Sequence, residues 1–237
     1  MSVAGKLVII AGATSASGLA ATRELRRAGA RVVAVGRDHG RLSELVNALD
    51  EDAGPIDAGS AGSVRTEVCD LADESEVAAL AERIHAADGR VDGVLHLVGG
   101  WRGGGGLRGQ TDADYRFLER SFTALRHVSR AFDPDLRAAE AARLAVVSSP
   151  AVARPLAGGA NYAAVKAATE AWTRAVAQGF AKDARDAGKP LGAASVVFRV
   201  KSLDGLEEAL AQRFADLWLA DAAEINDTVV ELTDPSL

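Results

Sequence analysis

The feature that most constrains this chain is an alternation, sustained from one end to the other, of short apolar runs with longer amphipathic stretches. Lys6–Ala11 is apolar and stops at Gly12; Leu19–Ala28 follows with helical spacing and is closed by Gly29. Further strands are expected at Arg31–Val35, Val64–Cys69, Gly93–Val98, Leu144–Ser148, Ala193–Val200 and, briefly, Asp227–Leu232. Helices are expected over Arg41–Leu49, Glu74–Ala87, Asp112–Asp133 with Thr111 as N-cap, Tyr162–Ala187 and Leu206–Ala220. Strands that are apolar on both faces need cover on both sides, which means a parallel sheet between two layers of helices. Right-handed crossovers then make a doubly wound, Rossmann-like α/β arrangement the default.

At 237 residues the chain fits one large domain spanning 1–237 better than two small ones. Apolar residues make up 48% and charged residues 25%, the profile of an ordinary globular protein. A net charge of −6 and the absence of a basic run argue against nucleic acid as a main partner. The single cysteine, Cys69, cannot form an internal disulfide, and a reducing cytoplasm is the natural reading. The apolar run Leu7 to Ala11 is far too short for a signal or membrane segment, so no membrane partner is expected. Glu51–Ser63, rich in Gly, Asp and Ala with one Pro, reads as a surface loop. Gly99–Gly109 reads as a mobile loop, either a plain connector or a wall of the substrate pocket.

The turn after the first strand reads Gly12-Ala13-Thr14-Ser15-Ala16-Ser17-Gly18 and runs into a helix. Small residues let backbone approach a diphosphate, and the helix N-terminus offers free N–H groups and a positive dipole end. The second strand ends at Val35-Gly36-Arg37-Asp38. An arginine at that tip suits a ribose 2′-phosphate, which favours NADP with NAD still possible. Asp38 either bonds a ribose hydroxyl or caps the following helix.

Tyr162 and Lys166 are four apart on one helical face, with Ser149 thirteen residues upstream of the tyrosine. A phenol ionises near pH ~10, and a neighbouring cation favours the phenolate. Tyr162 is therefore a candidate proton donor to a carbonyl oxygen, with Ser149 as a second hydrogen-bonding group.

Taken in order, these motifs make the chain resemble the single-domain short-chain dehydrogenase/reductases over about residues 5 to 200. The glycine turn is similar to the family's G-x-x-x-G-x-G, with Ala16 at the middle glycine. Asp70 and Leu71 match the adenine-contacting site after the third strand. His96-Leu97-Val98-Gly99 stands where the family has Asn-Asn-Ala-Gly, and Val147-Ser148-Ser149 and Tyr162/Lys166 match its serine and Y-x-x-x-K motifs. The resemblance implies that Gly12, Thr14, Ser15, Ala16, Ser17, Gly18, Arg37, Asp70, Leu71, Val98 and Gly99 bind the dinucleotide. It further implies Tyr162 as general acid or base, and Ser149 as the group polarising the carbonyl. Lys166 would lower the tyrosine pKa and hold the nicotinamide ribose. The family's catalytic asparagine falls at Ser121, and His96 reads as structural.

After the sixth strand the family usually continues with Pro-Gly and a long substrate cover, whereas this chain runs Arg199-Val200-Lys201-Ser202-Leu203-Asp204-Gly205 into the next helix. That shortening implies an open pocket, bordered by Trp101, Arg102, Pro150, Val152 and Leu156, suited to extended or carrier-linked substrates. The expected function is an NADP-preferring carbonyl reductase or alcohol dehydrogenase acting on a small-molecule carbonyl or alcohol, without a metal. The alternative is a nucleotide-binding sensor or scaffold of the same fold with little catalysis. The resemblance also implies a homodimer or homotetramer built on the helices at Asp112–Asp133 and Tyr162–Ala187.

Overall fold

A computed structural model describes residues 1–51 and 62–233, so most of the expected loop at Glu51–Ser63 lies outside the described residues. Seven parallel strands form one sheet: β1 (Leu7–Ala11), β2 (Arg31–Gly36), β3 (Val64–Val68), β4 (Gly93–His96), β5 (Ala142–Ser148), β6 (Ala193–Arg199) and β7 (Thr228–Glu231). Their order is β3-β2-β1-β4-β5-β6-β7, so the chain winds one way from β1 and then reverses. β1 lies between both halves, with Ile9 opposite Val33 on one side and Val94 on the other. The expected doubly wound parallel sheet is therefore present.

Alternation along β1 divides the core in two. Val8 and Ile10 face the layer of α1 (Ala16–Arg27), α2 (His39–Glu51) and α6 (Glu207–Asp216), packing with Leu25, Phe198, Phe214 and Trp218. Leu7, Ile9 and Ala11 face α3 (Glu74–Ala87), α4 (Asp112–Ala138) and α5 (Ala160–Asp186), with Leu80, Ile84, Leu125 and Phe132. Each such fully buried side chain contributes roughly 1.5–3 kcal/mol. Trp218 stacks edge-on against Phe214 and lies only 2.7 Å from where a Cβ of Gly93 would stand. Buried Arg143 on β5 donates to the carbonyls of Leu217 and Ala220, fastening that segment under the sheet.

Several boundaries depart from the sequence reading. α1 begins at Ala16 rather than Leu19, because Ser15 accepts from the Gly18 N–H and caps it. α4 runs through Pro134 to Ala138 instead of stopping at Asp133: Phe132 and Leu136 are fully buried and Arg137 pairs with Asp133 and Asp183, which offsets the missing N–H. Leu206–Ala220 is not one helix; α6 ends at Asp216, a 3-10 turn follows at Leu217–Leu219, and a short α7 (Ala222–Ile225) precedes β7. The edge strands β3 and β7 are not apolar on both faces. In β3, Arg65 pairs with Asp88 and Glu67, as an edge with one neighbour permits.

Candidate active site

The turn between β1 and α1 is fixed by lack of space. Gly12 has φ +89°, and a Cβ there would lie 2.9 Å from the Val98 nitrogen. A Cβ on Gly18 would come within 2.1 Å of the Ala13 carbonyl oxygen, and one on Gly36 within 2.7 Å of Thr14 Cγ2. Ala16, where the resembled motif has glycine, is simply the first residue of α1. These contacts form a cavity of about 260 Å³ bordered by Gly12, Thr14, Ser15, Gly36, Arg37, Arg41, Asp70, Leu71, Val98 and Gly99. Ser17 lines the larger neighbouring cavity, which shares Ser15, Leu97, Val98 and Gly99 with the first.

Charge organises the far end of the first cavity. Arg37 is exposed at its edge. Arg41, which the sequence reading passed over, donates to the Thr14 carbonyl at 2.8 Å. Asp38 accepts from the Arg41 N–H at 3.1 Å, so of its two readings the structure shows the helix cap. Asp70 accepts from Arg120 at 2.6 Å and from the Ala72 N–H at 3.1 Å. Burial alone would raise its pKa, but those hydrogen bonds and the charges of Arg120 and Arg37 prevail and hold it below the usual carboxylate range. Arg120 also went unnoticed in the sequence, since nothing local links positions fifty residues apart.

The second cavity, about 1030 Å³, brings Ser149, Tyr162 and Lys166 together beside His96. Ser149 ends the β5 edge, is buried, and accepts from the Ala151 N–H at 3.2 Å. Burial raises the Tyr162 phenol above its ordinary value, and the Ser149 hydroxyl, within hydrogen-bonding reach, works against that rise. Lys166 donates to the Val147 carbonyl at 2.8 Å, with Nζ 5.7 Å from the Tyr162 ring centre. Its ammonium is itself pushed down to about 8 by burial, against the support of Glu170. With its phenol raised rather than lowered, Tyr162 carries its proton at neutral pH.

Glu170 continues the stripe of Tyr162 and Lys166 along α5. It accepts from Ser148 at 2.6 Å and from two nitrogens of Arg199 at 3.1 and 2.8 Å, and Arg199 also reaches Glu231 at 3.1 Å. Sequence reasoning missed this pair; the one available signal was a buried-strand arginine standing where Pro-Gly was expected. His96 donates from Nε2 to the Ser121 carbonyl at 3.0 Å, and its ring is pushed down to about 4 by burial and kept neutral. That bond joins β4 to α4 and fits the structural reading of the histidine. The Ser121 hydroxyl donates back to the Leu118 carbonyl at 2.7 Å, and Ser121 borders the first cavity rather than the one holding Tyr162.

Two loops form the outer wall. The glycine-rich segment expected to be mobile is stitched to the Ala157–Gly159 turn. Gly104 N–H and Gln110 Nε2 both donate to the Gly158 carbonyl, at 2.7 and 3.0 Å. Opposite, Val200, Lys201, Ser202 and Leu203 line the cavity before α6 begins at Glu207, so the connection after β6 is as short as the sequence indicated. Trp101 and Leu156 remain 61% and 77% exposed at the mouth, where Arg154 and Pro150 also lie. Val152 and Arg102 do not border the cavity; Arg102 lies over the Phe117 ring.

With this geometry in place, comparison with known proteins decides the family. Residues 6–184 match the sequence profile of the short chain dehydrogenases. The chain belongs to the short-chain dehydrogenase/reductase family. Among short-chain dehydrogenase relatives, the 3-oxoacyl-[acyl-carrier-protein] reductase FabG of Pseudomonas aeruginosa is 29% identical over 178 residues, 75% of this chain and 69% of that protein. The ketoreductase relative DnrU of Streptomyces sp. (strain C5) is 40% identical, but over 97 residues, 40% of this chain and 31% of DnrU. A metagenomic short-chain oxidoreductase solved with NADP superposes with a TM-score of 0.79 at 25% identity, covering 99% of this chain and 100% of that one. That family is one of NAD(P)-dependent oxidoreductases. The Cβ-free approach at Gly12 and Gly18, beside the N-terminal end of α1, fits a dinucleotide's diphosphate. Among the described residues no group of three metal-ligating side chains occurs, and no helix is long and apolar enough to cross a membrane.

Proposed function

We propose that this short-chain dehydrogenase/reductase is an NADP-preferring carbonyl reductase, running as an alcohol dehydrogenase in reverse. The observation that carries the reading is the convergence of Ser149, Tyr162 and Lys166 on one cavity, with Lys166 Nζ 5.7 Å from the centre of the Tyr162 ring. The nicotinamide, when bound, supplies or accepts the hydride. Tyr162 Oη gives its proton to the carbonyl oxygen, or takes one from the alcohol, and Ser149 Oγ polarises the same oxygen. Lys166, anchored on Val147, holds the nicotinamide ribose and stabilises negative charge left on Tyr162. Gly12, Thr14, Ser15, Ala16, Ser17 and Gly18 receive the diphosphate, Asp70 and Leu71 the adenine, Val98 and Gly99 the nicotinamide side. Arg37, exposed at the cavity edge, reads the 2′-phosphate with Arg41 beside it. Ser121 enters this reading through its carbonyl, which orients His96, because its hydroxyl is committed to Leu118.

A second reading, nucleotide binding with weak catalysis, is favoured by that same loss of the relay asparagine and by the short chain after β6. Titration of NADPH and NADH followed by a carbonyl panel separates the two: tight NADPH binding without turnover of any carbonyl supports the second. A reducing cytoplasm belongs to this reading on the ground that Cys69 is the single cysteine of the chain and has no disulfide partner within it. Assembly through α4 and α5 into a dimer or tetramer is part of the same proposal, and light scattering tests it.

A further inference from the structure

The walls of the larger cavity carry an electrostatic bias that its catalytic cluster does not explain. The chain has 33 acidic residues against 27 basic ones, yet no aspartate or glutamate lines this cavity. Its charged lining is cationic: Arg154, Lys166 and Lys201. Lys166 is bound to Val147 under Tyr162. The side chains of Arg154 and Lys201 make no hydrogen bond or ion pair among the described residues. Lys201 shares its cavity with Ser15 and Ser17 at the start of α1, on the side where the proposed cofactor's diphosphate would lie. Arg154 lies on the substrate side. The chain between it and Ser149 is folded into a tight turn, with Val152 N–H bonded to the Ser149 carbonyl and Arg154 N–H to the Pro150 carbonyl. That turn keeps the Arg154 backbone five residues past the serine on the same cavity wall, with the residue exposed.

Resting on the reductase reading, we infer that this site takes carbonyl compounds bearing a carboxylate, received at the rim by Arg154. The apolar wall of Trp101, Leu156 and Leu203 would cover the carbon chain between the carbonyl and the anion. A cavity walled by low-dielectric surface and one sign of charge attracts such substrates, and an exposed guanidinium does so in a salt-dependent way.

The test compares 4-oxopentanoate and 6-oxoheptanoate with their methyl amides. In the unaltered enzyme with NADPH, kcat/KM should favour the acid of the better-fitting length roughly five- to tenfold over its amide. That preference should shrink in 0.5 M salt, approach one in Arg154→Gln and invert in Arg154→Glu. An amide used as well as its acid at both lengths, or a preference that survives Arg154→Gln, overturns the inference. Calorimetric binding of the same probes to the NADPH complex of Tyr162→Phe reads the rim without turnover. Acid-selective, Arg154-dependent binding there alongside absent turnover in the unaltered enzyme would sink the reductase reading and leave the anion rim standing. Binding blind to the carboxylate would sink the rim itself.

Discussion

At the turn between β1 and α1 the chain is held by what cannot fit, and around Tyr162 by what must be paired. Gly12, Gly18 and Gly36 each lie where a methyl group would strike backbone or side chain at under 3 Å. The cluster around Tyr162 instead rests on hydrogen bonds and charge spread over several elements: Ser149 just after β5, Lys166 and Glu170 on α5, Arg199 on β6, and His96 on β4 held to α4. Steric requirements leave local marks such as a glycine at a fixed place in a turn. Electrostatic pairing lets chemically different residues satisfy one another, so this end can drift from the family pattern while keeping its Ser-Tyr-Lys centre.

The largest effect expected from breaking that contrast is at Tyr162. Tyr162→Phe keeps the ring packed and removes the hydroxyl, so turnover should fall at least ~10²-fold while NADPH affinity stays. Steady-state rates beside a cofactor titration check this; retained turnover would remove Tyr162 from the mechanism.

His96 offers the next effect, on stability. Its ring is lowered to about 4 in the fold against 6.5 unfolded. Between those values the unfolded chain binds more protons, so stability supplied by the neutral ring is lost as pH falls from 6.5 toward 4. At about 1.4 kcal/mol per pH unit, the loss is on the order of 3 kcal/mol over the window. His96→Asn, which does not titrate and can still donate to the Ser121 carbonyl, should flatten that slope in urea melts at pH 7, 5.5 and 4. An unchanged slope would mean that other groups govern the acid limb.

At the nucleotide end, Arg37→Ala should weaken NADPH binding by about 1.5–3 kcal/mol, the scale of charge-assisted hydrogen bonds, and leave NADH nearly unchanged. Equal losses for both cofactors would show that the 2′-phosphate is read elsewhere, with Arg41 the first place to look because it shares the cavity.

The same contrast explains what was legible beforehand. Caps and turns are local, so Thr111 capping α4, the Gly12–Gly18 turn and the Tyr162/Lys166 face could be read directly. Asp70 with Arg120, Glu170 with Arg199 and His96 with Ser121 are 50, 29 and 25 positions apart, and only the sheet order brings them together. The expected end of α4 at Asp133 failed for a related reason: the buried Phe132 and Leu136 that carry the helix through Pro134 gain their value from tertiary packing, which local sequence does not register.

The smallest effect sharpens the comparison most, because it asks whether the paired end is tuned or merely held. Glu170 supports the charged form of Lys166, whose ammonium burial lowers to about 8. The other titratable groups near that ammonium are Tyr162, which keeps its proton, and His96, which is neutral. Glu170→Gln can still accept from Ser148, but it removes the negative charge and leaves Arg199 with Glu231 as its remaining carboxylate partner. Both changes disfavour the Lys166 cation, so its pKa must move further below about 8. If the reaction needs that cation, activity lost as pH rises through the Lys166 pKa should now be lost earlier. The alkaline limb of kcat/KM should shift to lower pH by less than about one unit, the ordinary scale for one partly screened charge. A variant that melts earlier yet keeps its alkaline limb in place would make Glu170 a purely structural partner of Arg199. A limb shifted to lower pH, at temperatures where the variant is fully folded, would show that the pair standing where the family has Pro-Gly also sets the charge of the lysine beneath Tyr162.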